Sequence, residues 1–219
     1  MSTQTTLTRP EQSVAPFMPT PALAPPAPPK ISVQEYLALE RQSEIRHEYV
    51  DGEMIAMAGE SFKHNKVAGN FYIGFEFALR DRDCEVYMEG VRVRVSPTRY
   101  RYPDVVVVCG EHQDDGENPP ALLNPNAIVE ILSPSTQSKD RGEKLSEYWR
   151  MTSLTDYALA AQDKISVTHY RRQNEKDWTA TEYNELTDTL TFAALDVTIS
   201  LADIYRGVTF PPPPESESN

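Results

Sequence analysis

Basic residues are in short supply in this 219-residue chain: 21 Lys and Arg stand against 33 Asp and Glu, a formal net charge of −12. That shortage opposes indiscriminate nucleic-acid binding, which draws on clustered Lys and Arg to neutralise phosphates. Cysteine is nearly absent. Cys84 and Cys109 are the whole complement, they lack metal-ligand spacing, and each lies beside a strand-like run. They set the expectation of two reduced thiols in a cytosolic protein. No stretch approaches about eighteen consecutive apolar residues, so no membrane-spanning helix and no membrane partner are expected. The N-terminus lacks a positively charged region followed by an apolar core, which argues against a secretory signal. A soluble, acidic, cytoplasmic protein is the expectation that remains, long enough for one domain with a real hydrophobic core.

Proline is concentrated at the N-terminus, at positions 10, 16, 19, 21, 25, 26, 28 and 29. Residues 1–30 therefore read as a disordered, proline-rich tail, residues 31–210 as the folded domain, and residues 211–219 as a second polar tail. Ser32 with Glu35 forms a capping-box pattern that opens a short helix through Leu37, Leu39 and Glu40. Tyr49 to Ile55 reads as a hairpin turning on Asp51-Gly52. Helical spacing of Val67, Phe71, Phe75 and Leu79 predicts a long helix from Phe62 to Leu79. Strands are predicted at 85–95, 104–108, 127–132, 156–161, 165–171, 178–183 and 189–199, with helices at 139–151 and 201–205. Helices and strands mix without strict alternation, which gives an α/β or α+β domain around one mixed sheet.

Two short segments carry the chemistry. Tyr102-Pro103-Asp104 precedes four valines, and Glu130 interrupts the run Val129-Glu130-Ile131-Leu132. Buried strands read as continuous apolar runs, and an acid planted in one is costly unless it is paired or binds a metal. The plainer reading puts each acid at a strand end in water or against an arginine. Read together, Asp104 and Glu130 are candidate ligands of one divalent ion, since hard cations prefer oxygen donors. Lys144 is the candidate cation for a developing negative charge or for lowering the pKa of an attacking water. It shares a helix face with Asp140 at i, i+4 spacing, whose plainer reading is a surface ion pair. In Val91-Arg92-Val93-Arg94-Val95 the valines and arginines fall on opposite faces of a strand, with Arg99 and Arg101 following. That face either tracks a phosphate backbone or is salt-bridged to the surplus acids.

The ordered series of motifs His47-Glu48-Tyr49-Val50-Asp51-Gly52-Glu53, His64-Asn65, Tyr102 to Val108, Val129 to Thr136 and Asp140-Arg141-Gly142-Glu143-Lys144 resembles the Uma-two family of endonucleases, within the PD-(D/E)XK nuclease superfamily. The resemblance covers about residues 31 to 208. It implies a restriction-endonuclease-like core, a mixed central β-sheet flanked by helices with the active site at one sheet edge. It implies that Asp104 and Glu130 are the metal-binding acids, that Mg2+ or Mn2+ is the cofactor, and that nucleic acid is the partner, with DNA the first candidate. The superfamily's usual lysine lies two residues after the second acid, where this chain has Leu132; the resemblance implies that Lys144 replaces it from the helix. Glu48 is similar to an acid that many such nucleases add as a metal ligand, and its plainer reading is a surface acid near a turn. His64 either contacts substrate, positions water or is structural. Ser133 and Ser135 are candidate caps for the Lys144 helix. Two other classes stay open: a non-catalytic binding module on the nuclease fold, and a metal-dependent hydrolase of a small phosphoester. For assembly, a two-fold homodimer is the default expectation.

Overall fold

A computed structural model describes residues 29–57, 59–133 and 137–210. The expected tails over 1–28 and 211–219, and the capping role of Ser135, lie outside the described residues. Helix α1 (Val33–Glu40) starts at the capping box: the Ser32 hydroxyl accepts from the Glu35 amide, and the Glu35 carboxylate accepts from the Ser32 amide at 2.8 Å. The hairpin of β1 (His47–Val50) and β2 (Glu53–Ala56) turns at Asp51 and Gly52, both with positive φ. A Cβ on Gly52 would meet the Lys30 side chain at 2.8 Å, so close approach as well as φ selects glycine there. Helix α2 (Phe62–Leu79) follows, capped by Ser61.

The sequence from 85 to 95, expected as one strand, is two. Strands β3 (Cys84–Met88) and β4 (Arg92–Ser96) are separated at Glu89 and Gly90, where φ is 51° and 84°. The two positive φ values turn the chain out of one sheet and into another. Next come β5 (Arg99–Arg101), β6 (Val105–Cys109), β7 (Ala121–Leu122) and β8 (Ala127–Leu132). A continuous helical stretch then runs through α3 (Gln137–Lys139), a π-helical turn (Asp140–Lys144) and α4 (Leu145–Tyr148). Strands β9 (Asp156–Ala161), β10 (Val167–Arg172) and β11 (Trp178–Tyr183) complete the central sheet. The expected strand over 189–199 is instead a hairpin, β12 (Thr189–Phe192) and β13 (Val197–Ser200), joined by a 3-10 turn that ends on left-handed Asp196; α5 (Leu201–Ile204) closes the described chain.

The expected mixed central sheet is six-stranded, in the order β11-β10-β9-β8-β6-β3, with β8 and β9 parallel and the other pairs antiparallel. Beside it lie a five-stranded sheet, β2-β1-β5-β4-β7, and the β12-β13 pair. Alternation along the central strands divides the core. Val105, Val107, Val129 and Ile131 pack on Val67, Phe71 and Phe75 of α2. Val106, Val108, Ile128 and Leu132 face the other way, toward Val93, Tyr148 and Leu154. Both faces are covered, which is why these strands read as unbroken apolar runs. Fully burying side chains of this kind contributes about 1.5–3 kcal/mol each.

Cys84 and Cys109 face one another across the β3–β6 pair and are joined by a disulfide, not held as two reduced thiols. Antiparallel register placed their side chains together, a proximity that spacing along the chain does not reveal. The bond withdraws the support that free thiols lent to a reducing compartment. No helix among the described residues is long and apolar enough to cross a membrane.

Candidate functional site

Register brings the two acids together. Strands β6 and β8 pair antiparallel with Val105 opposite Val129, so one further step sets Asp104 opposite Glu130. The parity that buries Ile128 and Leu132 against α4 also points Glu130 that way. Asp104 is bound to β8 directly, its Oδ2 accepting the Ile131 amide at 2.6 Å. The same oxygen lies 3.3 Å from Nε2 of His64, in the first turn of α2, and that nitrogen is 3.5 Å from Oε2 of Glu60. His64 Nδ1 is buried without a hydrogen-bond partner among the described residues.

The helical stretch after β8 supplies the other wall. Asp140, Lys144 and Tyr148 recur every four residues across the π-helical turn and so share a face. The Lys144 ammonium lies 3.0 Å from Glu130 Oε1, 3.1 Å from Asp140 Oδ1 and 3.3 Å from Glu48 Oε1. Tyr148 donates its hydroxyl to the same Glu130 oxygen at 3.0 Å. Glu48, on β1, is held on its other oxygen by Nη1 of Arg101 at 2.8 Å. Glu48, Asp104, Glu130 and Lys144 therefore line one cleft of about 410 Å3, along with Asp140 and His64. The Asp140–Lys144 pair, whose plainer reading was a solvated surface pair, is buried.

Charge in the cleft is unbalanced. Glu48, Asp104, Glu130 and Asp140 surround Lys144, and Arg101 serves Glu48 from one side. Burial pushes Glu130 well above the usual carboxylate range; Lys144 opposes this, while Asp140, Asp104 and Glu48 add to it. Glu48 goes the other way, because Lys144 and Arg101 together outweigh its burial and hold it low. Lys144 is buried too, yet Glu130, Glu48 and Asp140 raise its pKa, so it stays an ammonium. For His64, Asp104 and Glu60 outweigh burial and favour the protonated ring. An all-oxygen carboxylate set with surplus negative charge is the chemistry a hard divalent cation takes. Among the described residues no three His, Cys, Asp or Glu side chains already lie together as a ligand cluster. Two carboxylates are enough for Mg2+, which keeps several waters and takes substrate phosphates as further ligands.

Of the arginines on this face, Arg92 and Arg101 are buried and Arg94 and Arg99 half-buried, and Arg99 and Arg101 are salt-bridged to acids, the second of the two readings above. Arg92 is buried over the rings of Tyr36 and Tyr100, and Arg101 is 0% exposed between Glu48 and Glu147. Arg99 is engaged by Asp51, Glu143 and Glu147. Glu147 and Tyr148 entered no expectation. The signal for Tyr148 was present, since it continues the i, i+4 series of Asp140 and Lys144. The sequence marked Arg101 but not its partners, which come from 53 and 46 residues away.

The fold is one found in a nuclease-like protein. A crystal structure described as "a putative nuclease belonging to DUF820" from Anabaena variabilis ATCC 29413 superposes with a TM-score of 0.65 over 80% of this chain and 97% of that one, at 20% identity. By sequence the chain belongs to the Uma2 family, described as "putative restriction endonuclease", whose profile matches residues 33–202. Two relatives from Synechocystis sp. (strain ATCC 27184 / PCC 6803 / Kazusa) are both described as uncharacterized. The protein slr1290 is 32% identical over 191 residues, 86% of this chain and 99% of its own length. The protein sll1609 is 31% identical over 153 residues, 69% and 86% of the two chains.

Proposed function

We propose that this protein is a divalent-metal-dependent endonuclease that hydrolyses phosphodiester bonds of nucleic acid, using Mg2+ or Mn2+ held by Asp104 and Glu130. The observation that carries this reading is the placement of Asp104 opposite Glu130 in the lining of a cleft whose acids outnumber their cations. An ion bound there polarises the scissile phosphate and makes an adjacent water more acidic. The chain's own groups do the rest. Lys144, kept protonated by three carboxylates, acts as a fixed positive charge and hydrogen-bond donor rather than as a base. Tyr148 holds Glu130 by its Oε1, and Glu48 orients Lys144 from the opposite side. Glu48, which sets one oxygen against Lys144 and the other against Arg101, is the additional acid of the proposed ion site.

Calorimetric titration of Mn2+ into the wild type and the Asp104→Ala/Glu130→Ala variant, with plasmid and RNA cleavage on the same samples, tests this. Carboxylate-dependent uptake with cleavage is the expected result. Cleavage at the wild-type rate by the variant would remove both acids from the mechanism. A second reading, hydrolysis of a small phosphoester at the same site, is favoured by the burial of Arg92 and Arg101, which withdraws two arginines from any surface offered to a polynucleotide. Steep loss of substrate affinity with added salt supports nucleic acid; a flat salt response supports the small substrate.

A further inference from the structure

Asp104 is gripped from two sides through one oxygen. Its Oδ2 accepts the Ile131 amide at 2.6 Å and lies 3.3 Å from His64 Nε2, so Oδ1 is the oxygen left for an incoming ligand. The imidazole is held in place beside that oxygen. His64 is 2% exposed, it sits in the first turn of α2 where its own amide is tied to the Ser61 hydroxyl at 3.1 Å, and its neighbour Ser61 also bonds Gln162. Only Nε2 of the ring has partners, and both, Asp104 and Glu60, are carboxylates; Nδ1 has none among the described residues. That asymmetry places a proton on Nε2 in either charge state of the ring, because a bare Nε2 facing two carboxylates would be repelled by both. A neutral ring of this tautomer presents Nδ1 as a bare acceptor and leaves no N–H orphaned.

Resting on the metal-dependent reading above, we infer that His64 is a positioning residue for Asp104: its Nε2–H fixes the carboxylate rotamer so that Oδ1 meets the ion. The carboxylate stands at the start of β6, next to Pro103, where strand pairing no longer holds the backbone on both sides. A single amide bond leaves a carboxyl group free to swing about that contact, whereas two donors on one oxygen define its plane. Hydrogen-bonded outer partners of this kind tune metal affinity strongly, and their removal commonly weakens it about 10–100-fold. Glu60 lines the same cleft and lies 3.5 Å from Nε2, a second carboxylate on the same ring nitrogen.

The test compares two substitutions of similar volume. His64→Gln carries an amide donor near the position of Nε2, and His64→Met fills the space with no donor. Mn2+ affinity is read by calorimetry with no substrate present, and thermal melting of the metal-free proteins is recorded beside it. His64→Met is expected to raise the Mn2+ dissociation constant about 10–100-fold, and His64→Gln to stay within about threefold of wild type. A role confined to packing predicts the reverse, with melting temperature altered and metal affinity equal in the two variants. Wild-type affinity in His64→Met, or equal weakening in both variants, overturns the inference. Absence of Mn2+ uptake by the wild type is a separate outcome that fails the metal-dependent reading itself, and the inference with it.

Discussion

Lys144 is an ammonium taken out of water and surrounded by Glu130, Asp140 and Glu48 at 3.0–3.3 Å. Pairs of this depth add little net stability, but breaking one strands its partner, at about 3–5 kcal/mol. Lys144→Met is therefore expected to lower the melting temperature on the order of 10 °C and, on the function proposed above, to abolish cleavage. The loss depends on pH. Glu130 has a folded pKa above its unfolded value, so its favourable contribution is complete below the unfolded value and fades as pH rises through the folded one. Removing the ammonium steepens that fading, and melting scans should show a larger deficit at pH 8 than at pH 5.5. An unchanged deficit would mean that Glu130 does not carry the unpaired charge. At this scale the sequence was legible wherever a residue broke its surroundings: Asp104 and Glu130 stand out because each is a lone acid in an apolar strand. Arg101 did not, since an arginine alternating with tyrosines looks the same whether its face meets solvent or two buried glutamates.

The β1–β2 hairpin is pinned to β5 by Asp51, which accepts from the Thr98 hydroxyl at 2.7 Å and from Nε of Arg99 at 2.9 Å. Those bonds, Arg99 foremost, hold Asp51 below the ordinary aspartate range. A depressed folded pKa gives stability that is present above the unfolded value, about 3.9, and is lost as pH falls through the folded one. Asp51→Asn keeps a residue tolerant of the positive φ and removes the charge. It should cost at most about 1 kcal/mol near neutrality, because the pair is partly exposed, and should flatten the fall in melting temperature below about pH 4. The same acid slope in wild type and variant would discount the Arg99 contact. Elements with their own local signal were readable: the capping box, the Asp-Gly turn, and α2 with its four-residue apolar spacing. The breaks at Glu89-Gly90 and at the turn between β12 and β13 were not, since one or two positive-φ residues inside a β-rich run leave hydrophobic periodicity intact on both sides. The π-helical turn is likewise invisible to a pattern that only reports that 140, 144 and 148 share a face.

Across the whole molecule, the net charge of −12 coexists with a cleft that concentrates acids, and of the arginines that seemed to offset them locally, Arg99 and Arg101 are paired with acids. Composition reports totals but not placement, which is why it could neither locate the cleft nor foresee that its cations serve carboxylates. Pairing of the cysteines was hidden for the same reason. The Cys84–Cys109 bond spans 25 residues, and by chain entropy a closed loop of that size contributes about 3–4 kcal/mol. Reduction, or Cys84→Ser, should lower the melting temperature on the order of 10 °C, and mass mapping without reductant should recover the linked pair. Equal melting with and without reductant would show that the bond does not form in solution. The loop it closes contains β4, β5, Asp104 and the exposed Pro97-Thr98 turn. A protease that nicks that turn would leave two polypeptides still joined as one particle. The fragments would part on a denaturing gel only after the bond is reduced.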